Sequence, residues 1–164
     1  DLLYHPPLMI KWPNDILLGG RKLCGILSES VPGWRDRLVV GIGVNINNRV
    51  DLGLAETEPK HSLRPPISLV ERDRIARDLT SVLITILDHF DRRWHELLAA
   101  NHEALLAAYR QRCFLTGRTI TIDQPGGSRN VGVCHGIDTQ GQLLLQTEQG
   151  RTKVASGTIA AWEP

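Results

Sequence analysis

The apolar residues of this chain change their spacing twice, and that change limits the fold more than any other feature. Ile75, Leu79, Val82, Leu83, Ile86, Leu87 and Phe90 recur at steps of three and four, the period of one helix face. Ahead of that block lie short runs bounded by turn residues: Leu8-Met9-Ile10-Lys11, Asp15-Ile16-Leu17-Leu18, Leu23 to Ser28, and Leu38 to Ile46. Beyond it, Arg118-Thr119-Ile120-Thr121-Ile122 alternates, and Val131-Gly132-Val133 and Leu143-Leu144-Leu145-Gln146 follow at about ten-residue intervals. Strands, then helices, then strands again make an α+β chain.

Local signals sharpen this outline. Pro13 cannot donate to a ladder, so the first strand stops at Trp12-Pro13. Gly19-Gly20 marks a hairpin, because glycine accepts positive φ cheaply. Residues 31–36 read as a loop, and the strands around it as an antiparallel meander. Asn47 to Pro66 is polar and without period, a long surface loop. Ser68 is placed to cap a helix starting near Leu69 or Glu71, with Glu71 completing a capping box. The spacing predicts that this helix continues through Phe90. A second is predicted over roughly His95 to Arg112, with Leu98, Leu105, Leu106 and Tyr109 near one stripe. Turn clusters at 124–127, 138–141 and 148–150 separate the short strands that follow. Composition changes near Gly117, so the expected division is residues 1–114 and residues 115–164.

Charged residues make up 23% of the 164, with a formal net charge of +1. A dedicated nucleic-acid binder would be clearly basic, so a small RNA-binding barrel is disfavoured. No apolar run approaches the roughly 18 residues of a membrane span, and the start lacks the layout of a signal peptide. Cys24, Cys113 and Cys134 are odd in number and form no CxxC pair. Reduced thiols in a cytoplasmic protein fit that pattern better than a disulfide framework or zinc knuckle. The chain has no initiator Met and enters an apolar strand within a few residues, so a fragment of a longer protein is expected.

Some residues point to a ligand. Gly41, Gly43 and Asn45 stand at i, i+2 and i+4, so one strand face presents two missing side chains and then an amide. Glycine weakens a strand interior, which calls for a reason such as close approach of ligand to backbone. The alternative is a glycine-rich strand packed beneath a helix. No helix start follows this GxG, so it is not a dinucleotide fingerprint. Taken alone, Lys22 beside the glycine turn reads rather as a solvated hairpin lysine. Asn14-Asp15 after Pro13 suit a turn as well as a ligand. His89, His95 and His102 lack the i, i+4 spacing of a helical metal pair, and no firm metal site emerges. The mixed charges from Glu71 to Arg93 belong to a solvated helix face.

Three motifs taken together carry more. Lys11-Trp12-Pro13-Asn14-Asp15-Ile16, Arg21-Lys22-Leu23-Cys24-Gly25-Ile26-Leu27 and Gly41-Ile42-Gly43-Val44-Asn45 resemble, in this order, the second half of the catalytic domain of biotin–protein ligases. Gly136-Ile137-Asp138, Gly141, Leu143-Leu144-Leu145 and Ser156-Gly157-Thr158-Ile159 are similar to that family's C-terminal module. The resemblance implies an antiparallel sheet packed by helices, an incomplete class II synthetase-like domain, followed by a small all-β SH3-like barrel. It implies ATP and biotin as substrates, with magnesium. Biotin is first joined to the α-phosphate of ATP, and the biotinyl group is then transferred to a lysine of a biotin carboxyl carrier protein.

By the same resemblance Lys22 is the catalytic cation. Lys11 approaches the phosphates, Asn14 and Asp15 order the nucleotide or its magnesium, and Gly25 and Leu27 touch biotin. Gly41 and Gly43 line the ligand and Asn45 faces adenine, to which an amide offers a donor and an acceptor together. Cys24 fills a small buried slot without chemistry. Strict alternation points Lys22 away from the face of Gly25 and Leu27, so a turn or bulge must re-aim it. The family's first half, with a Gly/Arg-rich loop over the adenylate, has no counterpart here, which implies half a site and an inactive isolated chain. DNA binding is expected only with a further N-terminal domain, and a homodimer is allowed. The rivals are a lipoyl or octanoyl ligase relative and a catalytically inert truncated binding module.

Overall fold

The computed structural model describes residues 7–34, 36–50, 65–99 and 102–163. The first four strands are β1 (Leu8–Lys11), β2 (Asp15–Leu18), β3 (Arg21–Ser30) and β4 (Leu38–Val44). They pair antiparallel in the order β1-β2-β3-β4, the expected meander. The β2–β3 turn forms because Gly19 and Gly20 both take positive φ, 58° and 77°. Most of the expected 47–66 loop, residues 51–64, lies outside the described residues.

The helical region departs from the predicted single helix through Phe90. Its start is as expected: Ser68 accepts from the Glu71 backbone N–H, and Glu71 accepts from that of Ser68, closing a capping box on α1 (Leu69–Asp73). The helix then stops, because Arg74 adopts a left-handed φ of 63°. Asp73 turns back to accept from the Ile75 N–H at 3.0 Å and pairs with Arg77. Asp78 next accepts from the Ser81 N–H at 2.7 Å, capping a new helix, α2 (Leu79–Leu98). Two short carboxylates that favour caps over helix interiors thus divide the apolar period. The predicted second helix is also shorter, since His95 belongs to α2 and α3 covers His102–Arg112.

The remaining strands are β5 (Thr119–Asp123), β6 (Arg129–Ile137), β7 (Leu143–Thr147), β8 (Gly150–Val154) and β9 (Thr158–Glu163). Their antiparallel order is β8-β7-β6-β5-β9. All five send side chains into one buried cluster: Ile120 and Ile122, Cys134 and Ile137, Leu143 and Leu145, Val154, and Ile159. Each such side chain stabilises the fold by roughly 1.5–3 kcal/mol, so this cluster holds the C-terminal sheet together. At Gly132 a Cβ would fall 2.5 Å from the Gln146 carbonyl oxygen, so only glycine lets β7 approach there.

The cluster is not closed by its own strands alone. Trp12 from the β1–β2 turn, with Cys113 and Leu115 beyond α3, is buried in it. Cys113 and Cys134, distant in sequence, meet there as a pair of buried free thiols. A smaller cluster of Leu18, Leu23 and Ile67 joins the first sheet to α1 through Val44 and Leu69. None of these three helices has a fully buried residue, but α1 and α3 pack Leu69, Leu106 and Tyr109 against these clusters, whereas α2 joins neither. Its apolar stripe, including Leu83, Leu87, Phe90 and Trp94, stays exposed. Among the described residues no helix is long and apolar enough to cross a membrane.

Candidate functional site

Register across the first sheet assembles the candidate residues. Lys11 pairs with Asp15, Asp15 with Gly25, and Gly25 with Gly43. Cross-strand partners share a face, so one row runs over all four strands. Leu27 pairs with Gly41 in the next row of that face.

Lys22 joins the row through a β-bulge. Ile16 pairs with Cys24, yet Leu17 pairs with Lys22, which leaves Leu23 as the extra residue. Leu23 turns into the cluster with Leu18 and Ile67, and its carbonyl accepts from the Asn45 N–H at 2.9 Å. Lys22 is thereby carried to the face of Asp15 and Gly25. The re-aiming that alternation demanded is present.

The result is one carboxylate between two ammonium groups. Lys11 Nζ lies 3.2 Å from Asp15 Oδ2, and Lys22 Nζ lies 2.6 Å from Asp15 Oδ1. The Lys11 and Asp15 side chains are each 12% exposed, whereas that of Lys22 is 42% exposed. Two cations and one anion leave a formal charge of +1. The buried partners hold a fixed charge, and the more open Lys22 can reach an incoming anion. Gly25 makes room for this arrangement: a Cβ there would stand 3.4 Å from both Cε and Nζ of Lys22.

The neighbouring glycines face open space. A Cβ on Gly41 would meet nothing nearer than the Leu27 carbonyl oxygen at 3.8 Å, and one on Gly43 nothing nearer than that of Gly25 at 3.9 Å. Neither takes the left-handed φ that favours glycine. Packing among the described residues therefore gives no reason for glycine at either position, while a ligand lying flat on the strand would. Leu27 is exposed on the same face.

Asn45 is anchored through its backbone. Besides the bond to Leu23, its carbonyl accepts from the Leu69 N–H at 3.1 Å, so α1 starts directly on this residue. Its side-chain oxygen accepts from Asn48 Nδ2 at 3.1 Å. Asn14 is exposed, and its carbonyl accepts from the Ile26 N–H at 2.9 Å. Both Asp15 oxygens are engaged by lysines, and among the described residues no group of three His, Cys, Asp or Glu could hold a metal. A magnesium cage built from this chain's described residues alone does not fit. The Cys24 thiol is buried beside the pair; burial pushes its pKa up, Lys22 lowers it and Asp15 raises it.

Two contributions escaped the sequence reading. Arg21, directly after the Gly19-Gly20 turn, donates to the carbonyls of Pro65 at 2.7 Å and Pro66 at 2.6 Å, fixing the segment that leads into α1. Trp162 of β9 brings its ring to within 5.9 Å of Lys11 Nζ. Only three-dimensional proximity reveals either, since each contact spans more than forty residues.

Comparison with known proteins matches two segments of the chain. Residues 5–47 match the model of the biotin/lipoate A/B protein ligase family, and residues 116–162 that of the biotin protein ligase C terminal domain. A biotin–[acetyl-CoA-carboxylase] ligase of Mycobacterium tuberculosis is 33% identical over 147 residues, covering 90% of this chain and 50% of the relative. The enzyme of the same name from Paracoccus denitrificans is 33% identical over 155 residues, covering 93% of this chain and 62% of the relative. This chain thus spans roughly half to three fifths of the length of these two relatives. Among solved structures, the biotin protein ligase of Aquifex aeolicus in complex with biotin and ATP shares the fold. Its TM-score is 0.78 at 23% identity, over 96% of this chain and 62% of that one.

Proposed function

Because this chain belongs to the biotin protein ligase family, we propose that it forms the C-terminal part of an enzyme that activates biotin with ATP. That enzyme would transfer the biotinyl group to a lysine of a biotin carboxyl carrier protein. In this reading residues 1–114 complete the catalytic domain and residues 115–164 form the C-terminal module. The observation that carries it is the Lys11–Asp15–Lys22 triad set against the open glycine face.

The chemistry explains why such a triad is useful. A biotin carboxylate oxygen attacks the α-phosphorus of ATP, the bond to the β-phosphate breaks, and pyrophosphate leaves. Two unit negative charges 4 Å apart repel by about 4 kcal/mol at an effective dielectric constant of 20. A preorganised cation between them offsets that repulsion and stabilises the charge shared in the transition state. Lys22 is open enough to occupy that place, and Asp15 fixes its ammonium without neutralising the site. Lys11, held more deeply, faces the trailing phosphates. In the second step the acceptor's lysine amine attacks the mixed anhydride carbonyl and AMP leaves, so this chain need only hold the adenylate.

Gly25 and Leu27 lie at the biotin end of this site, and Gly41 and Gly43 let the ligand rest on the backbone. Asn45 presents its amide toward adenine, and Asn14 stays at the rim. Magnesium would come with the nucleotide, held by its phosphates and water, because both Asp15 oxygens are taken by lysines. The exposed α2 stripe supports a site completed by further polypeptide, as does the greater length of the relatives. The chain alone is then inactive.

A lipoyl or octanoyl ligase shares the family of the first segment, but the C-terminal match is to a biotin ligase module, which favours biotin. Pyrophosphate release by the complete ligase, with biotin, lipoate or octanoate as the acid, tests the choice. Release stimulated by biotin alone is expected. Release with lipoate or octanoate but not biotin would refute the assignment.

A further inference from the structure

Lys11 is gripped from outside its own sheet. Next to it, Trp12 is buried in the C-terminal core, and its indole N–H donates to the Gly141 carbonyl at 3.0 Å in the β6–β7 turn. One residue earlier, the Ile10 carbonyl accepts from the Phe114 N–H at 2.8 Å. Across from both, Trp162 of β9 is held edge-on by Phe114, with ring centroids 5.8 Å apart at 83°. Its ring lies 5.9 Å from Lys11 Nζ. The Lys11 ammonium thus contacts both the Asp15 carboxylate and an aromatic ring supplied by the last strand.

From this geometry we infer that Trp162 is a positioning residue for Lys11, its ring holding the ammonium beside Asp15 without cancelling the charge that the nucleotide's phosphates meet. The inference rests on the ligase reading above for the identity of the ligand. The physical reason lies in what an aromatic face does to a cation. It attracts and orients an ammonium without cancelling its charge. A second carboxylate would hold Lys11 as firmly but would remove the formal +1 of the triad and repel phosphate. An apolar residue of similar bulk would fill the space and leave the ammonium oriented by Asp15 alone.

Two substitutions separate the aromatic face from simple packing. Trp162→Phe keeps a ring, and Trp162→Leu keeps apolar bulk only. In the complete ligase, Trp162→Leu should raise KM for ATP about two- to fivefold, the effect of one partly exposed cation–π contact. KM for biotin should be unchanged, and Trp162→Phe should restore most of the ATP affinity. In a Lys11→Met background, Trp162→Leu should add nothing further. Equal effects on both substrates, or equal damage from Phe and Leu, would reduce Trp162 to a packing residue and overturn the inference.

A second readout needs no activity. The ring current of Trp162 should shift the Lys11 ε-methylene resonances upfield in the chain itself, and Trp162→Leu should abolish that shift while Trp162→Phe retains part of it. Resonances that ignore Trp162→Leu would overturn the placement. If the complete protein turned over no ATP with biotin, the ligase reading would fail, while these resonances would still decide whether β9 positions Lys11.

Discussion

Replacing Gly43 with alanine should make the fold more stable and the enzyme worse. Gly43 sits in β4 opposite Gly25, with no left-handed φ, and an added Cβ would meet nothing nearer than the Gly25 carbonyl oxygen at 3.9 Å. That is ordinary van der Waals contact, so the folded state gains no strain. The unfolded chain loses freedom, which stabilises by about 0.4–1 kcal/mol. For a chain of this size the gain is a rise in Tm of about 1–4 °C. A ligand lying on the strand would meet the new methyl directly. Overpacking of a close contact costs roughly 1–3 kcal/mol, which weakens adenylate binding about five- to 150-fold. Thermal unfolding of the chain and titration of the complete ligase with a non-hydrolysable biotinyl-adenylate analogue give the two halves of the comparison. Gly132→Ala is the internal contrast, since its Cβ would fall 2.5 Å from the Gln146 carbonyl oxygen and must destabilise. A Gly43→Ala chain that melts lower, or binds the analogue as wild type does, would remove the ligand wall from β4.

Three shorter predictions bear on other parts of the molecule. Asn45→Ala leaves the backbone bonds to Leu23 and Leu69 intact; in the complete ligase it should weaken nucleotide binding by about 1–3 kcal/mol and biotin binding less, and calorimetry showing equal losses would return Asn45 to a structural role. The hydrogen bond from Arg77 holds the Asp73 carboxyl down at about 2, so its contribution is present above the ordinary carboxylate range and is lost as pH falls through that value; Asp73→Asn should lower Tm at neutral pH by an amount that shrinks steadily as pH falls toward about 2, and a constant difference across that range would contradict the link. The exposed α2 stripe should drive the isolated chain to self-associate, and Leu83→Glu with Leu87→Glu should return it to a monomer in sedimentation equilibrium, whereas a monomeric unsubstituted chain would show that the stripe needs no cover.

Much of this site was legible because it depends on local order. The Gly19-Gly20 hairpin, the Ser68–Glu71 capping box and the two-residue spacing of Gly41 and Gly43 are short-range features with direct geometric meaning. The bulge at Leu23 was half legible: alternation required that something re-aim Lys22, but the extra residue is identified only by how β3 pairs with β2. The break at Arg74 was hidden because the apolar period runs through it, while the caps formed by Asp73 and Asp78 decide the backbone. Trp12 in the C-terminal core, Trp162 over Lys11 and the meeting of Cys113 with Cys134 were illegible. Those contacts join parts of the chain that share no period and no turn, and packing alone brings them together.

The central claim is that Lys22, held by Asp15 on the glycine face, is the cation that lets biotin carboxylate meet the α-phosphate. Single-turnover pyrophosphate release by the complete ligase carrying Lys22→Ala measures this step, with transfer from preformed biotinyl-adenylate assayed separately. Removing one preorganised group of this kind should slow adenylation roughly a hundred- to a thousandfold. Lys22→Arg should restore it only in part, because a planar fork does not replace a compact ammonium, and transfer should suffer less than adenylation. A Lys22→Ala enzyme that releases pyrophosphate at the wild-type rate would contradict the account and move the catalytic cation elsewhere, with Lys11 the next candidate.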